Sequence, residues 1–444
     1  MKFRVQRISR RLTACILPCL GALLVACSVG TVSPAADTTA ESIRTDTPAP
    51  IALQPTALPT ATFEPTPLPP TTLVIWWPEP LAPLNNSSAA ELLSEQISAF
   101  KAAQGNVEVQ LRRKLQSGVG GIMSTLRAAS PVAPGALPDL TLMRREDVLT
   151  AAQAGLIYPM EGHVTSAVLG DLYRAALGLG RYDGALFGLP YMIDVQHMAY
   201  SSPADTQRPT RFEDFLAQQI SFALPVAQSS VINDVLLTQY LDAGGTLPEN
   251  GIQDINVEAL LSVLNFDEQA VQDGLIDRGV LNYTSPADYQ NSLVAGTLDA
   301  AVVNSSLYLS LLEAGDTLDF GPVPTESGSL AGEVDSWMWV ITTSSADRQA
   351  LAARFLNWML DATRQGDYSR SIHMIPSQRT ALQTWEDTPY ITFVRQLLNN
   401  ALLPLTNVES GTVARAMQNA LVAVISGEAT AETAVQDLLN RLAG

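Results

Sequence analysis

Apolar runs and helically spaced apolar residues alternate along the chain from residue 72 onward. The run 72–77 is apolar, rich in β-branched residues and stopped by Pro78, which predicts a buried strand. Apolar residues over 89–104 recur with helical spacing up to Gly105, and 107–111 alternates as a second strand. A strand, a helix and another strand in this order predict a mostly parallel sheet with helices on its faces, an α/β fold.

The same patterns continue to the C-terminus. The 444 residues are too many for one ordinary core and suit two lobes of about 150 to 200 residues. Helices are predicted over 122–129, 212–219, 231–241 and 257–273. Strands are predicted over 192–200 and 220–226.

The N-terminus has the pattern of an export signal. Five basic residues within the first eleven precede an apolar run that is too short to span a bilayer stably. The run ends Leu24-Val25-Ala26-Cys27, which resembles the lipobox of bacterial lipoproteins and implies a signal peptide over 1–26 and lipidation of Cys27. Residues 27–71 are rich in Thr and Pro and predict an extended tether.

Composition excludes several classes of function. The chain has 26 Lys and Arg against 44 Asp and Glu, a balance that repels nucleic acid and anionic lipid. All three cysteines lie within the first 27 residues, so the folded part has no disulfide and no thiolate metal site. The three histidines are not spaced as metal pairs, and no Gly-x-Ser-x-Gly motif occurs. We expect neither a metal nor a cofactor.

The stretch 182–200, YDGALFGLPYMIDVQHMAY, combines a turn with a strand. Gly184 and Gly188 allow tight turns, and Pro190 directs the chain into an extended run. From these residues alone an ordinary core hairpin is an equally good interpretation. The stretch nevertheless resembles the segment of bacterial extracellular solute-binding proteins, the sugar-binding family of ABC importers, that follows the cleft wall and crosses between lobes. Looser matches in the family's order extend this resemblance over about 370 residues. They imply strands over 138–143, 298–304 and 337–341 and helices over 148–155, 347–361, 413–425 and 431–442, and they include the segments 321–324 and 374–377.

The resemblance implies a periplasmic-binding-protein-like fold, with two discontinuous α/β lobes joined by a hinge around a ligand cleft. Lobe 1 would comprise 72–200 and 325–365, and lobe 2 would comprise 201–324 and 366–444. The implied function is capture of a small solute, a carbohydrate, by a monomeric lipid-anchored protein that is not an enzyme. The implied partner is an ABC permease, and the implied location is the outer face of the cytoplasmic membrane or the periplasm.

Sugar binding needs aromatic rings and fixed polar groups. Such residues lie where the family's strands reach the cleft: Trp76, Trp77, Tyr191, Asp194, Asn304, Asp335 and Trp337. For each one alone, core packing or a hinge contact is an equally good interpretation. Trp339 shares a strand face with Trp337, so one of the two can belong to the core. Residues 411–414 lack the stacking aromatic that oligosaccharide binders of the family often carry, which leaves the ligand class open.

Two other functions remain open at this point. A sensory or scaffolding lipoprotein could use the same fold to bind a partner protein. An extracellular carbohydrate-active enzyme could carry two distant carboxylates, because the separation of roughly 5–9 Å that they need is spatial and invisible in sequence.

Overall fold

The computed structural model describes residues 71–83, 86–203, 208–227, 229, 231–246, 255–330, 332–401 and 411–443. All of them fall within one unit, Pro67–Gly444. The predicted signal peptide, Cys27 and the tether up to residue 70 lie outside the described residues. Thr71, predicted as the last tether residue, is instead the first residue of a strand.

One sheet organises the described residues. The strands are β1 (Thr71–Pro78), β2 (Val107–Lys114), β3 (Leu140–Met143), β4 (Arg181–Tyr182), β5 (Ala185–Leu186), β6 (Leu189–Tyr200), β7 (Phe222–Ala223), β8 (Ala300–Asn304), β9 (Asp319–Gly321), β10 (Val334–Ile341) and β11 (Ile375–Pro376). The strand order in the main sheet is β2-β1-β3-β10-β6-β8-β7, with β9 and β11 also paired to β6, and β4 and β5 form a separate two-stranded sheet. The predicted parallel start is confirmed, since β1 pairs in parallel with β2 and β3. β10 and β6 run antiparallel to their neighbours.

Helices cover the sheet and account for most of the remaining structure. They are α1 (Ser87–Gln104), α2 (Ile122–Ala129), α3 (Arg145–Gln153), α4 (Ser166–Asp171), α5 (Arg174–Leu179), α6 (Phe212–Ala217), α7 (Asp234–Asp242), α8 (Val257–Gln272), α9 (Gln290–Val294), α10 (Ser305–Glu313), α11 (Ala346–Met359), α12 (Ala362–Ser371), α13 (Arg379–Leu382), α14 (Pro389–Asn400), α15 (Thr412–Ser426) and α16 (Ala431–Ala443).

Strand β6 belongs to both halves of the sheet. Its first residues, from Leu189 to Val195, pair with β10, and the rest, from Gln196 to Tyr200, pair with β8. Pro190 cannot donate to a ladder, and it lies beside a register shift in β10 between Trp337 and Met338. β6 is therefore the strand that joins the two halves of the sheet.

Strand alternation divides the apolar side chains of lobe 1 between two faces. Trp77 belongs to the core under α1, α11 and α12, where its ring lies 5.5 Å from Trp339 and 5.8 Å from Tyr368. Trp76 points to the other face and packs in the core that includes Ile122 and Leu126 of α2. Both faces of β1 are therefore buried, as expected for a strand inside an α/β sheet.

Gly184 and Gly188 have different roles in the turn before β6. Gly184 has a φ of 79° in the β4–β5 hairpin, as its predicted turn role requires. Gly188 does not have a positive φ, so the prediction of a turn role was wrong there. A Cβ on Gly188 would lie 3.0 Å from the Met338 sulfur and 3.1 Å from Val148. Gly188 is small because β10 and α3 pack closely against it.

Some predicted elements differ from the structure. The strand predicted over 220–226 is reduced to β7, because Pro225 has no N–H to continue the ladder. α3 begins at Arg145 and not at residue 148, and β10 begins at Val334 and not at residue 337. α12 and α14 were not predicted, since α12 is polar and contains Gly366, and α14 opens with a run of aromatic and β-branched residues.

Helix α12 includes residue 365, where the sequence analysis placed the end of lobe 1. Its Tyr368 hydroxyl donates to the Leu81 carbonyl at 2.9 Å, and the Asn86 amide donates to the Ser371 carbonyl at 2.8 Å. Both bonds tie α12 to residues that surround the start of α1. We propose that lobe 1 extends through α12 and that the chain crosses to lobe 2 after it.

Candidate functional site

Three predicted site residues lie where β6 passes between the lobes. Asp194 pairs in register with Asp335 of β10, and two residues later Gln196 pairs with Asn304 of β8. The midpoint of β6 thus brings together side chains that are more than a hundred residues apart in sequence. We therefore look for a ligand-binding cleft at the midpoint of β6.

A cavity of about 490 Å³ opens beside this point. Its charged lining comes from the start of α3, the start of α7 and the residues leading into β10: Arg145, Glu146, Asp234, Glu333 and Asp335. Leu149, Val231 and Ile232 supply an apolar share of the wall. The volume lies within the range of about 300–1,000 Å³ typical of small-molecule sites.

Arg144 orders the lobe 1 wall of the cleft. It forms an ion pair with Asp335, and its guanidinium lies 5.4 Å from the centre of the Trp337 ring. Both members of the ion pair remain partly exposed, so the pair contributes little to stability. Its main effect is to hold a guanidinium, a carboxylate and an indole in one orientation.

Asp234 is the charged residue that faces Arg144 from the other wall. Its carboxyl hydrogen-bonds to the Glu333 carboxyl and accepts from the Gln196 amide at 3.4 Å. Burial by the surrounding walls raises the pKa of Asp234, while its hydrogen bond to Glu333 and the nearby Arg144 lower it. The side chain still reaches solvent, as expected for a residue that lines an open cleft.

Asp194 has a structural role at this point. Its carboxylate accepts from the Ser305 hydroxyl at 2.8 Å, and from the Ser306 N–H at 2.9 Å and hydroxyl at 2.6 Å. Ser305 and Ser306 form the first turn of α10, so the carboxylate caps that helix and is favoured by its dipole. Only 7% of Asp194 is exposed. The residue positions α10 against β6 and has little capacity left for a ligand.

Asn304 and Trp337 differ in how far they are available to a ligand. The Asn304 side chain is half-buried and makes no hydrogen bond to another described residue. Its amide is therefore available at the cleft end of β8. Trp337 is 3% exposed and packs at the edge of the lobe 1 core, beneath Arg144.

The other three predicted residues are placed in the interior. Trp77 and Tyr191 have no exposed surface, and Tyr191 lies 5.3 Å from the Trp339 ring. Trp76 is 3% exposed, and the Lys114 ammonium lies 4.4 Å from its ring centre. For these three the structure favours the core-packing alternative, so they are left out of the proposed site.

Residues that the sequence analysis did not select complete the site. They are Arg144, Arg145, Gln196, Asp234 and Glu333. Arg144 and Arg145 directly follow β3, and the carboxyl ends of parallel strands are where ligands bind in α/β sheets. Charged residues immediately after a buried strand were thus a signal that could have found them.

Within the described ranges, no group of three or more His, Cys, Asp or Glu side chains could hold a metal ion. None of the helices in these ranges has the length and hydropathy that a membrane span requires.

Comparison with known families identifies the fold's relatives. The family of bacterial extracellular solute-binding proteins matches residues 95–392, which is well over half of the chain. The chain belongs to this family. Its members are binding proteins that act outside the cytoplasm, and no curated protein sequence matches the chain significantly.

Solved structures agree with this assignment. The maltose-binding protein of Listeria monocytogenes in complex with maltose has a TM-score of 0.66 at 16% identity, over 84% of this chain and 97% of that one. The cyclic α-maltosyl-1,6-maltose-binding protein of Arthrobacter globiformis has a TM-score of 0.65 at 16% identity, over 84% and 98%. Maltose-bound T. maritima MalE3 has a TM-score of 0.63 at 15% identity, over 84% and 99%. The predicted two-lobed, periplasmic-binding-protein-like α/β fold is confirmed.

Proposed function

We propose that this solute-binding protein is a lipid-anchored receptor that captures a carbohydrate and delivers it to an ABC permease. The observation that carries the proposal is the cavity beside the midpoint of β6, where charged groups from α3, α7 and β10 converge. Because the walls of this cleft come from both lobes, a bound solute makes some of its contacts only when the lobes have closed around it.

The side chains around the cavity suit a solute with many hydroxyl groups. Carboxylates accept from hydroxyls, and guanidinium groups donate to them. The Asn304 amide, which lies outside the cavity lining at the neighbouring end of β8, can do both. Most of these groups are already held in place by other protein groups, as Arg144 is by Asp335. Fixed donors and acceptors reduce the entropy lost on binding. Among the similar solved structures, the Listeria monocytogenes protein and MalE3 are bound to maltose, and the Arthrobacter globiformis protein is named for binding cyclic α-maltosyl-1,6-maltose.

Asn304→Ala provides the direct test. We expect it to weaken carbohydrate binding by about 1 kcal/mol, roughly fivefold, because one hydrogen-bonding group is lost. The melting temperature should not change, because the Asn304 side chain bonds to no other described residue. A thermal-shift screen with maltose, maltotriose, mannotriose and common monosaccharides, followed by calorimetry, would measure both.

Asn291→Ala is the matched control, since Asn291 is an exposed residue of α9. It should leave affinity unchanged. If no carbohydrate binds the wild-type protein, the proposed ligand class is wrong. If binding occurs but Asn304→Ala leaves it intact, Asn304 does not contact the ligand.

Cys27→Ser is expected to abolish membrane anchoring. The protein carries more acidic than basic groups, so its surface offers no attraction to anionic lipid without acyl chains. Fractionation should find the wild-type protein with membranes and the variant in the soluble fraction. Wild-type protein that is wholly soluble without detergent would contradict the anchor.

Ligand binding is expected to close the lobes. A ligand that touches both lobes stabilises the closed form through its additional contacts and shifts the population toward it. Small-angle scattering should therefore show a smaller radius of gyration with saturating carbohydrate. A scattering profile that stays the same while calorimetry shows full occupancy would exclude closure.

A further inference from the structure

His373 occupies an uncommon backbone conformation between α12 and β11. Its φ is 58°, in the left-handed region that residues other than Gly, Asn, Asp and His rarely adopt. The turn is held by bonds from the His373 N–H to the Arg370 carbonyl at 3.2 Å and from the Met374 N–H to the Ser369 carbonyl at 2.9 Å. These two bonds form the usual C-terminal cap of α12, and this cap fixes the direction in which the His373 side chain leaves the chain.

The half-buried His373 side chain lines a second cavity, of about 570 Å³. Residues from Pro80 to Pro83, which follow β1, form the opposite part of the wall. β1 and β3 are parallel neighbours, so the residues that follow them lie at one edge of the sheet. This cavity therefore opens at the same edge of lobe 1 as Arg144 and Arg145.

The contact between His373 and Ser310 of α10 favours one tautomer of the ring. The Ser310 hydroxyl donates to the Ser306 carbonyl at 2.8 Å, so its proton is already used. With the hydroxyl proton used in this way, the 3.3 Å contact between Ser310 Oγ and His373 Nδ1 is a hydrogen bond that Nδ1–H donates. In the neutral ring Nε2 is left with a lone pair, and it has no hydrogen-bond partner among the described residues.

We propose that His373 is a ligand-contacting residue: Nδ1–H holds the ring against Ser310, and Nε2 accepts a hydrogen bond from a hydroxyl group of the solute. The ligand class is a neutral carbohydrate, which supplies hydroxyl donors, and the inference rests on the proposed function. The same contact connects α10, which follows β8, to the turn after α12. His373 would thus contact the ligand at a point where segments of both lobes meet.

The ring's tautomer tests the geometry without any ligand. Nitrogen NMR of the imidazoles at about pH 8.5, where an ordinary histidine is neutral, should show His373 with its proton on Nδ1. His373→Gly identifies the signal, and Ser310→Ala should shift the tautomer population toward Nε2–H. A wild-type ring that carries its proton on Nε2 would overturn the proposal.

Calorimetry of His373→Gly with maltose, maltotriose and mannotriose tests the ligand contact. Glycine suits the left-handed backbone, so the fold should be retained while affinity falls by about five- to thirtyfold. Gln219→Gly is the matched control, because Gln219 has a φ of 51° at the end of α6 and does not line the cavity. It should leave affinity unchanged.

The possible outcomes separate the inference from the proposed function. If the wild-type protein binds one of these sugars and His373→Gly binds it equally well, the inference fails while the proposed function stands. If the wild-type protein binds none of them, the proposed function and the inference fail together. Loss of affinity in His373→Gly, with an unchanged melting temperature and the Nδ1–H tautomer in the wild type, supports the inference.

Discussion

Trp77→Ala is expected to lower the free energy of unfolding by about 3–5 kcal/mol, the usual cost of removing a large aromatic side chain from a core. Trp77 has no exposed surface and packs edge-on against Trp339 and Tyr368. Its indole N–H donates to the Leu81 carbonyl at 3.0 Å, and the substitution leaves that buried carbonyl with one bond fewer. Chemical denaturation measures the loss.

Trp77→Phe is the matched control, because it keeps a ring in the same space and loses only part of the packing and the N–H donor. It should cost clearly less than alanine. If the Trp77→Ala and Trp77→Phe proteins remain folded, each should bind carbohydrate with nearly unchanged affinity. A Trp77→Ala protein that keeps its stability but loses affinity would restore the ligand contact that the sequence predicted for this residue.

Asp267→Asn is expected to raise the free energy of unfolding at alkaline pH by as much as about 5 kcal/mol. The cost of burying an amide reduces this gain. Asp267 lies on α8, is 2% exposed, and makes no hydrogen bond or ion pair with another described residue. Burial raises the pKa of its carboxyl to about 8. Ionising this group inside lobe 2 is therefore unfavourable.

The pH dependence follows from the direction of the shift. The folded pKa lies above the ordinary value of 3.8, so the group's contribution to stability is fully present below about pH 4. It is lost as the pH rises through about 8, whereas the amide of the Asp267→Asn variant does not titrate and loses nothing. The difference in unfolding free energy between variant and wild type should grow from pH 4 to 8 and level off above.

Denaturation curves at pH 5 and pH 8.5 check this prediction, and Asp273→Asn, at the exposed end of α8, is the control. The control should change stability little at both pH values. A constant difference for Asp267→Asn across the pH range would mean that the buried carboxyl titrates in the folded and unfolded states alike.

The sequence by itself determined many of the helices and strands and their order. α2 has the bounds that its apolar spacing predicts, and the strand at 192–200 appears as most of β6. These features depend on periodicity and on local breakers such as Pro78 and Gly105, which act within a few residues. The family resemblance rests on the same elements in the same order.

The tertiary structure alone decided which candidate side chains reach the cleft. Both faces of β1 are buried, so alternation could separate Trp76 from Trp77 but could not show that neither is open to solvent. Asp194 caps α10, a helix more than a hundred residues away, and Arg144 is positioned by Asp335, nearly two hundred residues away. Such contacts form only when distant segments meet, and periodicity along the chain carries no information about them.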